Sequence, residues 1–116
     1  MDDKFPFAYD YADRDTNAIP GPETGLDHGT HVAGIIAAKA GNGGVLGVAS
    51  GGSTALANKI VSIAAIDIFS CIGENNDGTK FSSATVLDIL YGLAKARDMG
   101  CSVVNMSLGF YTDDET

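Results

Sequence analysis

Lys59–Phe69 reads KIVSIAAIDIF, a run almost continuously apolar and rich in β-branched side chains. Such a run fits a strand buried on both faces, as parallel strands covered by helices usually are. GENNDG, at Gly73–Gly78, marks an exposed loop after it. Ser82 or Ser83 can then cap a helix running to about Met99, with Val86, Leu90, Leu93 and Ala94 on one face. Gly100 supplies the stop. Cys101–Leu108, CSVVNMSL, reads as a second buried strand. Strand, helix, strand in that order predicts a right-handed βαβ unit, and with it an α/β fold whose parallel sheet is covered on both faces.

Upstream, a loop rich in Gly, Ser and Asn occupies Ser50–Asn58, and VLGVA before it reads as extended. The small residues of His28–Ala40 permit a helix, with Val32, Ile35 and Ile36 as its apolar side and Gly41–Gly44 as its end. Gly29 and Gly34 weaken that helix, so they are expected where something packs close to the backbone. Residues 1–27 read as a short extended piece followed by an exposed loop through Pro20, Gly21 and Pro22. A chain of 116 residues holds one modest domain. Two strands and two helices do not close an α/β sheet, however, so the chain is expected to be a piece of something larger.

Apolar residues make up 45% and charged residues 19%, the balance of a globular protein. Fifteen acids against seven bases give a net charge of -8, which repels phosphate backbones and argues against nucleic-acid binding. No apolar run reaches membrane-spanning length, and the opening MDDKF lacks the basic-then-apolar pattern of a signal peptide. Cys71 and Cys101 do not make a disulfide framework. In a parallel arrangement Cys101 opens one strand and Cys71 follows the end of the other. A seven-residue strand spans roughly 23 Å, beyond the disulfide limit of about 7 Å, so the two are expected to be unlinked.

The chemistry is concentrated in Asp27–Gly34, DHGTHVAG. A metal site of Asp27, His28 and His31 is one reading, but zinc wants three or four protein ligands and the chain has no other histidine. Two polar residues that merely start a helix are a second reading, which leaves the glycine-rich context unexplained. A catalytic base at a helix N-terminus is the third, and the strings around it favour it. His28-Gly-Thr-His-Val-Ala-Gly34 resembles the histidine motif of the subtilisin-like (subtilase) serine proteases. Gly44-Val-Leu-Gly-Val-Ala49 is similar to the segment that follows that helix in the family. Val103-Val-Asn-Met-Ser-Leu-Gly109 resembles the family's substrate-binding strand. The strings stand in the family's order and cover the chain from about residue 27 to residue 109.

The resemblance implies a partial three-layer, parallel-sheet subtilisin-like fold and makes His28 the catalytic histidine, with His31 a structural neighbour on the helix. A general base needs a neutral imidazole before it accepts the serine proton, and a residue at the helix mouth can face a cleft. Asp27 diverges from the ring and is not the partner acid. In the family that acid ends a strand upstream, and the nucleophile opens a Gly-Thr-Ser-Met-Ala helix far downstream. Neither string is present, and Asp10, Asp13, Asp15 and Ser107 do not fit them.

Ser107, Leu108 and Gly109 are implied as the edge that pairs with the substrate backbone. GENNDG and Thr79–Phe81 fall where the family builds the opposite wall of the channel. AGNGGV, at Ala40–Val45, falls where many subtilases bind calcium. Asn42 and nearby carbonyls could ligate Ca²⁺ there, but the turn offers no carboxylate, so a plain glycine turn is the favoured reading; no metal is assigned and no cofactor is required for the chemistry.

Phe5–Ile19, FPFAYDYADRDTNAI, resembles what precedes the histidine motif in lactocepin-like cell-envelope proteinases, which implies a secreted or cell-wall-associated bacterial enzyme. The expectation is a fragment, residues 1–116, of one peptidase catalytic domain, a serine endopeptidase acting on protein or peptide and inactive on its own. The alternative is a non-catalytic peptide- or partner-binding module on the same scaffold.

Overall fold

β1 (Phe7–Asp10) and β2 (Ala64–Asp67) pair in parallel, Tyr9 opposite Ile66 and Asp10 opposite Asp67. Between them the chain forms α1 (His28–Ala37) and a single 3-10 turn at Val48–Ser50. After β2 come an antiparallel hairpin, β3 (Cys71–Glu74) and β4 (Lys80–Ser83), and then α2 (Val86–Asp98). The computed structural model describes residues 6–10, 14–18, 27–50 and 61–109. The passage through Pro20–Pro22, residues 51–58 of the Gly/Ser/Asn-rich loop, and Lys59 and Ile60 lie outside them. The parallel pair with helices agrees with the expected α/β class.

The pleat sends Tyr9, Ile66 and Ile68 to one face of the parallel pair, and α2 lies over that face. Gly92 is buried there. A Cβ on it would lie 2.6 Å from Ile68 Cγ2 and 3.8 Å from Ile66 Cγ2, so the missing side chain is what lets the helix come down on the strand. The Lys95 ammonium sits 4.5 Å from the centroid of the Tyr9 ring, a cation–π contact that joins α2 to β1. Helix and strand therefore meet at Gly92, and Ala96, one turn on, is buried as well. The expected face of Val86, Leu90 and Leu93 is instead exposed, at 68%, 55% and 36%. The correction has a simple cause: the missing side chain at Gly92 brings helix and strand closer than a leucine would allow.

Local chemistry sets both ends of α2. Its cap is Thr85, not Ser82 or Ser83, which β4 takes up. The Thr85 hydroxyl accepts the Asp88 N–H at 3.2 Å, and Asp88 Oδ2 accepts the Thr85 N–H at 2.8 Å, a reciprocal capping box. At the other end Gly100 takes φ 76°, its N–H reaching the Arg97 carbonyl while the Cys101 N–H reaches that of Ala96. That pair of bonds is a Schellman stop.

Hydrogen bonds from the Thr85 N–H, the Thr85 hydroxyl and the Ser70 hydroxyl, in that order of weight, hold the Asp88 carboxyl below its ordinary 3.8. A depressed folded-state value stabilises above the unfolded one and is lost as pH falls through the folded one. The stability gap between wild type and Asp88→Asn is therefore expected to narrow below pH 3.8, read as thermal midpoints across an acid series. A gap constant through that window would show the carboxylate contributes nothing.

Three further expectations change. α1 stops at Ala37, three residues early, where Gly47 presses against the Ala37 and Ala38 backbone and donates its N–H to the Ala38 carbonyl at 3.0 Å. Val45–Ala49 is not one extended run, because Val48 enters the 3-10 turn. Cys101–Leu108 forms no strand: it pairs with nothing described, and Val103 is 85% exposed. The expected βαβ unit is thus missing its second strand here, and the parallel pairing is supplied by β1. Both cysteines are unlinked, Cys71 exposed at the start of β3 and Cys101 half-buried after α2.

Candidate active site

His28 is the first residue of α1, after Asp27 at the cap position. The cap is a backbone one. The Asp27 carbonyl accepts the His31 N–H at 3.0 Å, and its carboxylate makes no capping bond. That leaves the His28 ring exposed at the mouth of the helix, where a reacting group can reach it, with no hydrogen bond to any described residue. His31, almost one turn on, is also exposed rather than packed on the chain. Gly29 and Gly34 have open space around them: a Cβ on either would meet nothing within 4 Å. The close approach expected of them falls instead on Gly47.

Ser107, Leu108 and Gly109 lie in the unpaired stretch beyond α2. Asn105 Nδ2 donates to Ser107 Oγ at 3.0 Å, which orients that hydroxyl along the chain. Among the described residues, then, no hydrogen bond or ion pair links His28 to Ser107, Leu108 and Gly109, the other residues the sequence singles out.

The glycine-rich turn after α1 is closed from within. Asn42 Oδ1 accepts the Gly44 N–H at 2.7 Å and Nδ2 donates to the Val45 carbonyl at 3.1 Å, while Gly41 and Gly43 take positive φ. Asn42, the candidate calcium ligand, is engaged in holding that turn. Among the described residues no three His, Cys, Asp or Glu are grouped to hold a metal ion, and no helix is long and apolar enough to cross a membrane.

Residues 71–83 form a hairpin, where the sequence suggested a loop at Gly73–Gly78. Only its tip turns, with Asn75 and Thr79 bonded across it at 2.8 Å and Asp77 Oδ1 accepting both the N–H and the hydroxyl of Thr79. Those two bonds, the hydroxyl one first, hold the Asp77 carboxyl below its ordinary value. Below the tip the Phe81 ring covers Gly73, with ring atoms 2.7 and 2.8 Å from where a Cβ would be. An Asn-Asp-Gly turn between short runs was the available signal for this hairpin.

The subtilase family model matches residues 1–116. Over 110 residues the chain is 33% identical to a thermophilic serine proteinase of Bacillus sp. (strain AK1). That match takes in 94% of this chain and 22% of the relative, so the chain spans about a fifth of that protein's length. No solved structure matches the chain.

Proposed function

The chain belongs to the subtilase family, and from that premise we propose that it is the part of a serine endopeptidase domain that carries the general base and the walls of a peptide channel. One observation carries the reading: DHGTHVAG folds as a helix whose first residue is an exposed histidine. In the proposal His28 takes the serine proton as the hydroxyl attacks the peptide carbonyl and returns it to the leaving amine. The serine, and the acid that steadies the imidazolium, come from sequence outside these residues. Ser107–Gly109 pairs with the substrate backbone ahead of the scissile bond, and Thr79–Phe81 stands opposite.

Surface chemistry supports the larger domain. Val48, Val86 and Val103 are 87%, 68% and 85% exposed, and the only buried hydrophobic residues described are Ala37 and Ala96. Apolar surface of that extent marks a face made to be covered. The substrate class is protein or peptide, the chemistry needs no cofactor, and the enzyme is secreted or wall-associated in a bacterium. The test is hydrolysis of an unfolded protein by the complete domain, blocked by a serine-directed sulfonylating reagent. Peptide binding without any cleavage would favour the non-catalytic module instead.

A further inference from the structure

We propose that Asp88 is a positioning residue that ties down both legs of the β3–β4 hairpin from the first turn of α2; its bearing on a peptide channel rests on the peptidase reading above. β3 and β4 pair with each other and, among the described elements, approach no other strand or helix. Phe81 on Gly73 and the bonds across the tip stiffen the hairpin internally, but they do not fix its inclination. A two-stranded ribbon alone is marginal in water.

The anchoring bonds lie at the base. Ser70 is the residue before β3, and Thr85 stands just beyond β4. Ser70 Oγ donates to Asp88 Oδ2 at 2.9 Å. The Thr85 N–H and hydroxyl donate to the same oxygen at 2.8 and 2.7 Å. One carboxylate oxygen thereby closes the chain from Ser70 to Thr85 with the whole hairpin between.

Capping α2 needs only the Thr85 bonds, so the Ser70 bond is surplus to ending the helix, and that surplus points to positioning. The anchor itself is steady, because α2 is seated on β2 through Gly92. The wall that Thr79–Phe81 offers a peptide is no stiffer than this clamp. Loosening it acts on substrate capture and leaves the proton transfers alone.

Ser70→Ala separates the two roles, since it removes one leg and keeps the capping box. Hydrogen exchange is expected to quicken about three- to tenfold at the amides of Cys71–Glu74 and Lys80–Ser83, the scale of one ordinary net hydrogen bond at an exposed site. The amides of Leu90–Asp98 should keep wild-type rates, and Ser70→Thr, which retains a hydroxyl, should restore slow exchange in the hairpin. Unchanged hairpin rates in Ser70→Ala, or helix and hairpin quickening alike, would overturn the clamp. With peptide substrates the same variant should raise KM and leave kcat alone. A fall in kcat at constant KM would overturn the link to the channel. A complete wild-type domain without peptidase activity would sink the peptidase reading, and the exchange rates would still decide the clamp.

Discussion

Replacing His28 with alanine is expected to lower kcat for peptide hydrolysis roughly 10⁴- to 10⁶-fold in the complete domain, the range in which loss of a triad base falls. KM should change little, because the imidazole moves a proton and does not hold the peptide. The fold should survive. His28 is exposed at the first position of α1, and neither its ring nor the Asp27 carboxylate makes a bond that the helix depends on. His31→Ala is the matched control. It removes a second exposed imidazole from the same helix, and a base at position 28 alone predicts that kcat stays within a few-fold of wild type. Equal losses at the two positions, or a His28→Ala enzyme that keeps its turnover, would remove His28 from the chemistry.

How far the sequence could be read depended on whether the deciding contact was local. Gly100 ends α2 as its sequence suggests, because a Schellman stop is written in neighbouring residues. The same holds for the turn through Asn42 and for the start of α1 at His28. The cap of α2 lies two or three residues beyond the expected Ser83 or Ser82, because Ser82, Ser83 and Thr85 are all competent caps. The choice is made by Asp88, three residues past Thr85, and by pairing of Ser82 with Ile72 and of Ser83 with Cys71.

Non-local contacts were harder to read. Val86, Leu90 and Leu93 have the spacing of a core face, yet it is Gly92 that meets the sheet and Ala96 that is buried. Periodicity counts hydrophobicity, whereas the helix–strand distance is set by what is missing at Gly92. CSVVNMSL has the composition of a buried strand and finds no pairing partner among the described residues, since composition states a preference for a ladder and cannot supply its other half. The start of α1 at His28 was legible for the opposite reason: a short string fixes that residue's position on the helix.

Three glycines separate these cases energetically, and the largest effect is expected at Gly47. A Cβ there would sit 2.5 Å from Ala37 Cα and from the Ala37 backbone nitrogen, in a position where no rotamer change can make room. Nor can the strands of chain move apart freely, because the Gly47 N–H is bonded to the Ala38 carbonyl at 3.0 Å. Gly47→Ala should therefore cost about 3 kcal/mol, the upper part of the range for overpacking, and detach the 3-10 turn from α1. At Gly92 the obstacle is a side-chain methyl, Ile68 Cγ2 at 2.6 Å, which can rotate or shift. Alanine also gains about 1 kcal/mol of helix propensity there, so Gly92→Ala should cost less than Gly47→Ala. At Gly34 nothing lies within 4 Å, and Gly34→Ala should stabilise α1 by about 0.5–1 kcal/mol. Urea midpoints of the three variants at constant m-value order the effects. Gly47→Ala as stable as wild type would mean that α1 and the Val48 turn do not meet backbone to backbone, and the early end of α1 at Ala37 would lose its cause.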